Sequence, residues 1–286
     1  MSIHPSAVIH PSAEIHPSVE IHANVIVEEN VRVGEGCVLM PGVVLCKNTV
    51  LGKNNRLHYY AVIGGDPQYV GFKSELKTGV IMGDNCEIRE YATVNRSIYE
   101  GKNTVLGSNI MMMINSHFAH DCEIADGVII ANNSLLAGHC TVGRKAFISG
   151  NVAAHQFSRI GEFAMVGGNT GIDKDIPPYV MTQSGGGLAF LVTLNVIGLR
   201  RGGIDASARA ILKQTFKLLF KQTNNKAQGI ANAEAYFNSL DVIPEQARTL
   251  VEFCKVKSRR GIAPGRRQAG VMNDAPTDDD SGAGEA

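Results

Sequence analysis

One sixfold rhythm dominates the chain and restricts what it can fold into. Stepping by six from Ile3 gives Ile9, Ile15, Ile21, Val27, Val33, Leu39, Leu45, Leu51, Leu57 and Ile63. A second run from Leu106 gives Met112, Phe118, Ile124, Ile130, Leu136, Val142, Ile148, Ala154, Ile160, Val166 and Ile172. All 23 positions are apolar, where a composition that is 44% hydrophobic would supply about ten, so chance alternation in an ordinary sandwich is excluded. A mostly small residue stands two places before each apolar one, as at Ala7, Ala13, Cys37, Ala61, Ser116, Cys122, Ser134, Cys140 and Ala146. This is neither a helical period nor simple strand alternation. It fits a prism in which three flat strands of about six residues make one coil of about 18, each strand pointing one large aliphatic side chain inward.

The rhythm breaks twice, and breaks in a solenoid are where function projects. Residues 65–79 leave the register, which resumes at Met82, Ile88 and Val94. Residues 95–105 form a second interruption, with Glu100 at a place due to point inward. Both are expected as loops thrown off the prism. The repeat domain is assigned to residues 1–183, stopped by Pro177-Pro178, and residues 184–187 (SGGG) are read as a flexible connection. A small α-helical domain is expected over 188–260, with helices beginning near Ala208 (capped by Asp205 or Ser207), over 227–240, and after Pro244. Residues 261–286 are rich in Gly, Pro, Ala and Asp and are expected to be disordered.

Composition narrows the function. Equal numbers of acidic and basic residues give no indication of nucleic-acid binding. No apolar run approaches the ~18 residues of a membrane span, and no signal peptide is visible, so a cytoplasmic protein is expected. The six cysteines are scattered without a CxxC pair and read as reduced thiols.

Nine histidines divide into two groups. His4, His10, His16 and His22 recur every six residues, and His58 holds the same place, so these read as polar corner residues. His117, His120, His139 and His155 cluster in the second run. His120 and Gly138 lie 18 residues apart, one full coil, which stacks them about 4.8 Å from each other. A bare backbone N–H beside a basic ring suits acyl transfer, with a general base for a hydroxyl and a donor for the developing oxyanion. Asp121 is placed to orient the ring. The alternatives are polar corner residues that simply face solvent, and a metal site. The γ-class carbonic anhydrases ligate zinc with histidines on this kind of prism, though their same-strand pair is spaced more widely than His117 and His120.

The segment MMINSHFAHDCEIADGVIIANNSLLAGHCTVG, with AAHQFSRIGEFAMVGGNTG and DIPPYV after it, resembles the UDP-N-acetylglucosamine O-acyltransferase family of lipid A synthesis, hexapeptide-repeat enzymes, over about residues 1–260. The resemblance implies a left-handed parallel β-helix, a homotrimer, acyl carrier protein as donor partner, a nucleotide sugar as acceptor, and no cofactor or metal. It implies His120 as general base, Asp121 as its dyad partner and Gly138 as oxyanion donor. It also implies that His117, His139, His155 and Gln156 contact substrate in a cleft between subunits, and that Gly168 sets acyl-chain length. Lys213, Lys217, Lys221, Lys255 and Lys257 would help to dock the acidic carrier. The chain departs from the family in two places. The family's PQDLKY loop keeps Gln68, but Tyr69 and Gly71 stand where Asp and Lys are usual. In NVIGLRRGG, from Asn195, Ile197 replaces an acidic residue while Arg200 and Arg201 remain for a diphosphate. The leading expectation is 3-O-acylation of UDP-N-acetylglucosamine with 3-hydroxyacyl donors. Acylation of a modified UDP-amino sugar, such as the 3-amino analogue, a zinc hydratase and a non-catalytic trimeric scaffold are the competing readings.

Overall fold

The computed structural model describes residues 2–223 and 225–265. Short strands, most of two residues, stack in parallel into three faces of a prism. Ser2–Ile3 begins the first face, Val8–Ile9 the second and Glu14–Ile15 the third. Each strand pairs with the one 18 residues on, as Ile3 with Ile21, Ile9 with Val27 and Ile15 with Val33. The inward positions form the predicted columns. From Ile21 to Ile63 and from Leu106 to Ile172 every one is buried, while Ile3, Ile9 and Ile15, in the first described coil, are less covered. The small residues Cys37, Ala61, Ser116, Cys122, Ser134, Cys140 and Ala146 are buried beside the corners, where a larger side chain would meet the opposite wall.

From Asn24 onward most corners turn through a residue with positive φ, and this explains their composition. Asn115, Asn133, Asn151 and Asn169 form one such column, with φ between 52° and 60°. Asparagine tolerates this region better than other side chains, and here it also bonds along the column. Asn115 Nδ2 donates to Asn133 Oδ1 at 2.9 Å and Asn151 Nδ2 to Asn169 Oδ1 at 3.1 Å. The amino-terminal histidines are turn residues, as expected: Nδ1 of His4, His10 and His16 contacts the Ser hydroxyl two places on at 2.8–2.9 Å. His58 differs. Its side chain is largely covered and lies 3.3 Å from Glu87 and 3.7 Å from Glu90.

Several boundaries are corrected. Strands Val62–Gly65, Gly79–Met82 and Asn103–Leu106 run longer than the repeat suggests, so the interruptions contract to residues 66–78 and 96–102. Glu100 does not point inward; its carboxylate accepts the Lys77 N–H at 2.8 Å. The SGGG segment is no flexible connection. It lies in an antiparallel hairpin of Val180–Gly185 with Leu188–Leu194, turning at Gly186 and Gly187, whose φ values of 58° and 84° suit a two-residue hairpin loop. This hairpin joins the first two faces into one 20-stranded sheet, leaving the third with eight strands.

Helices therefore begin only at α1 (Val196–Arg201), followed by α2 (Ala206–Phe220), α3 (Lys226–Phe237) and α4 (Glu245–Lys255). Asp205 caps α2 by accepting the Ala208 N–H at 2.8 Å. Leu212, Phe216, Leu219, Ala233, Leu250 and Val251 close the small helical core. Residues 261–265, expected to be disordered, pair with the end of the prism. The Asp175 N–H donates to the Gly261 carbonyl at 2.8 Å, the Ala263 N–H to the Asp175 carbonyl at 2.9 Å, and the Leu191 N–H to the Pro264 carbonyl at 2.8 Å. The rest of the expected disordered tail, residues 266–286, lies outside the described residues.

Candidate active site

Both interruptions leave the prism at the corner between the second and third faces, and that corner carries the clustered histidines. Residues 66–78 follow second-face strand Val62–Gly65, and 96–102 follow Thr93–Asn95 on the same face. In the following coils the corner is occupied by Asp121, His139 and Phe157, a column 18 residues apart with φ of 58°, 60° and 65°. Function and fold are thus separated by geometry: the inward column supplies stability, and the corner presents polar groups outward.

His120 Nδ1 lies 2.8 Å from Asp121 Oδ2, and both side chains are nearly covered, at 12% and 10% exposure. Asp121 is held from three more directions. The Ser97 hydroxyl donates to Oδ1, the Ile98 N–H donates to Oδ2 at 3.3 Å, and the Asp121 N–H donates to Thr104 Oγ1 at 2.8 Å. Burial pushes the Asp121 carboxyl up, but hydrogen bonds from His120, Ser97 and Ile98, with His139 nearby, outweigh it and leave the group below the usual aspartate value. An ionised Asp121 fixes the Nδ1–H tautomer of His120 and leaves Nε2 free to take a proton.

Gly138 packs flat on that ring. A Cβ built on it would fall 2.4 Å from His120 Cε1 and 2.6 Å from Nε2, so no other residue fits without moving the ring. The Gly138 N–H has no acceptor among the described residues. Ring contacts complete the wall. His139 meets His120 edge-on at 5.0 Å and stacks on Phe157 at 4.5 Å, with Tyr99 tilted against its other side at 5.9 Å and Tyr69 edge-on to His120 at 6.2 Å. Arg259 covers the far face of Phe157 at 4.4 Å. Burial, together with the charges of His120 and Arg259, holds His139 below the ordinary histidine value against the pull of Asp121. His117 stands on the second face with Nδ1 2.7 Å from Thr93 Oγ1; burial lowers its pKa too, against the Thr93 hydrogen bond.

The expected residues do not all meet. His117, His120, Asp121, Gly138 and His139 converge, and His155 and Gln156 are exposed one coil further along the same corner. Gln68 and Tyr69 are exposed on the first loop. Gly168 lies instead at the first corner, beside Gly150. Asn195 caps α1 by accepting the Gly198 N–H at 3.0 Å and donates to the Phe163 carbonyl at 2.9 Å, which puts it at the third corner. There a cavity of about 720 Å³ is lined by Lys145, Phe163, Met165, Asn195, Ile197 and Arg201, with Arg200 exposed alongside. Of the lysines expected to face a carrier, Lys213 and Lys217 are exposed on α2, whereas Lys255 is paired with Glu234 at 2.8 Å and Glu252 at 2.7 Å.

Comparison with known proteins agrees with this geometry. A family model described as UDP-N-acetylglucosamine O-acyltransferase, domain 2, matches residues 175–263, and one for the GMPPB C-terminal domain matches 1–105. An acyl-[acyl-carrier-protein]–UDP-N-acetylglucosamine O-acyltransferase of Gloeothece citriformis is 39% identical over 215 residues, covering 74% of this chain and 75% of that protein. The chain belongs to the UDP-N-acetylglucosamine O-acyltransferase family. A relative of the same description from Anaeromyxobacter sp. is 39% identical over 209 residues, with 73% and 78% covered. The structure of the UDP-N-acetylglucosamine acyltransferase from Campylobacter jejuni superposes with a TM-score of 0.84 at 32% identity, covering 93% of this chain and all of that one. The fold of this family member is accordingly a left-handed parallel β-helix with a small helical carboxy-terminal part.

Sequence reasoning missed the second interruption as part of the site. Ser97, Ile98, Tyr99 and Thr104 all touch Asp121 or His139. The signal lay in the stacking interval, which is 24 residues rather than 18 where Thr93 pairs with His117, and which also aligns Ser97 with Asp121.

Proposed function

We propose that this chain transfers a 3-hydroxyacyl group from acyl carrier protein to the glucosamine 3-hydroxyl of UDP-N-acetylglucosamine, the first step of lipid A synthesis. The observation that carries the reading is Gly138 lying against a His120 ring whose Nδ1 is bonded to Asp121. His120 Nε2 takes the proton of the sugar hydroxyl as its oxygen attacks the thioester carbonyl. The Gly138 N–H receives the developing oxyanion, and Asp121 balances the imidazolium. Collapse of the tetrahedral intermediate breaks the carbon–sulfur bond, and the leaving thiolate takes the proton from His120. The exchange of thioester for ester is redox-neutral and needs no cofactor.

The acceptor groups on the third corner complete the site from a neighbouring copy. A homotrimer that sets the 720 Å³ cavity of one prism against the His120 corner of the next brings Asn195, Arg200 and Arg201 to the diphosphate. Acyl carrier protein docks on the basic helices and the segment after them through Lys213, Lys217, Lys221, Lys255 and Lys257, Lys255 also being paired with Glu234 and Glu252. We place the enzyme in the cytoplasm; no helix among the described residues is long and apolar enough to cross a membrane.

A second reading, acylation of a modified UDP-amino sugar, is favoured by Tyr69, which brings an aromatic edge rather than a carboxylate towards His120. His120, Asp121 and His139 also offer ligand atoms within 4.8 Å of one another, the arrangement a metal enzyme would use. Chelator-treated protein supplied with acyl carrier protein thioester and a panel of nucleotide sugars separates these readings by mass spectrometry of the product. Efficient acylation of UDP-N-acetylglucosamine without metal supports the first. Preference for the 3-amino analogue supports the second, and activity only after zinc is restored overturns both.

A further inference from the structure

The dyad has an extension that comes from the second interruption. Arg96, at its root, is fully buried. Its guanidinium donates to Asp66 Oδ1 at 2.8 Å, to the carbonyls of Leu76 at 2.8 Å and Ser74 at 2.7 Å, and to Thr78 Oγ1 at 3.2 Å. Its N–H reaches the Gly65 carbonyl at 3.0 Å. The next residue is therefore fixed in place. Ser97 is also fully buried. Its oxygen accepts the Tyr99 N–H at 3.0 Å, which turns its proton towards Asp121 Oδ1, while the Ile98 N–H serves Oδ2.

We infer that Ser97 is a positioning residue for the transfer reaction, acting through Asp121 to hold the His120 ring in register with Gly138; this rests on the function proposed above. The chemistry is direct. Asp121 has two oxygens to direct at one imidazole. With Ser97 occupying Oδ1, rotation of the carboxyl group is blocked and Oδ2 stays aimed at His120 Nδ1. Without the hydroxyl, Oδ1 is left in a covered site with no donor. The carboxyl then gains by turning to water or swapping oxygens, and the base drifts from the geometry that Gly138 demands. The effect belongs to the chemical step and not to substrate affinity, because Ser97 is too deep to touch either substrate.

The test compares steady-state kinetics of the wild type, Ser97→Ala, Asp121→Asn and the double variant, each first checked to be fully folded at the assay temperature with an unchanged sedimentation profile. Ser97→Ala is expected to lower kcat by about 10–100-fold with KM for both substrates unchanged within about twofold. Adding it to Asp121→Asn should change kcat by less than about twofold, as for residues that act as one unit. Ser97→Thr, which keeps the hydroxyl, should restore most of the loss. If Ser97→Ala fails to fold, Ser97→Cys keeps the shape with a weak donor and should show the same selective fall in kcat. Wild-type kcat in a folded Ser97→Ala, or a full additional loss on top of Asp121→Asn, overturns the inference. Absence of transfer by the wild type would instead overturn the function on which it rests.

Discussion

Gly138 and His120 are in face-to-face contact, with the glycine Cα one coil away from the imidazole and no room between them for a methyl group. In the proposed mechanism the contact fixes two distances at once, that of the base and that of the backbone donor. Gly138→Ala would place Cβ within 2.9 Å of three ring atoms and displace the ring. Misplacing a catalytic group by about an ångström costs on the order of 100-fold. Gly138→Ala is therefore expected to lose about that much kcat with its melting temperature little changed, whereas Gly65→Ala, whose added Cβ meets nothing closer than 3.6 Å, should stay near wild type. Comparable kinetics for the two variants would remove the contact from the account.

Arg96 anchors the loop that carries Gln68 and Tyr69. Arg96→Lys keeps the charge but cannot supply the fork of donors that Asp66, Ser74 and Leu76 share. Hydrogen exchange over residues 66–78 should quicken selectively, and KM for the nucleotide sugar should rise about tenfold, the equivalent of ~1.4 kcal/mol. An unchanged exchange pattern would show that the loop holds itself.

Much of this was legible in advance, and the reasons are physical. The inward columns repeat strictly because every coil meets the same steric demand, so Leu106 to Ile172 could be read as a core. The His120–Gly138 spacing worked because both residues lie where coils stack at 18. Ser97 escaped notice because six extra residues lengthen the interval to 24, putting it out of step with the repeat. Gly186 and Gly187 resembled a linker because a glycine run carries no information about the strands on either side. Residues 261–265 lack a large side chain apart from Ile262, and their order comes from backbone pairing with Asp175 and Leu191, which composition does not reveal. Asn195, Arg200 and Arg201 were expected to serve a diphosphate, and the sequence carried no sign of which corner holds them; they lie at the third corner, away from the histidines.

Asp121 couples the site to pH. Its carboxyl lies below the ordinary aspartate value in the folded protein, so folding favours the ionised form. The stability it contributes is complete above the unfolded-state value near 4 and is lost as pH falls through the folded value. Melting temperatures of wild type and Asp121→Asn should therefore differ at pH 6 and converge as the pH is lowered below about 4. A constant difference down to pH 3 would mean that the charge is not what stabilises the corner.

Gly168 has no side chain at the first corner, and an added Cβ would come within 3.1 Å of the Gly150 carbonyl. The family resemblance runs the acyl chain past this corner; on that expectation Gly168→Met narrows its path, and each methylene excluded forfeits ~0.8 kcal/mol of burial. Competition between donors of different length should shift towards the shorter ones. An unchanged chain-length profile in the folded variant would take Gly168 out of the acyl path.

The most direct test is transfer itself, followed in wild type and His120→Ala with 3-hydroxyacyl-acyl carrier protein and UDP-N-acetylglucosamine. His4→Ala serves as the surface control, since the exposed His4 side chain bonds to Ser6 of its own turn. The account predicts an O-acylated nucleotide sugar from the wild type and from His4→Ala, and a fall of about 100-fold to 10,000-fold in kcat for a folded His120→Ala. Equal turnover by His120→Ala and His4→Ala would contradict it.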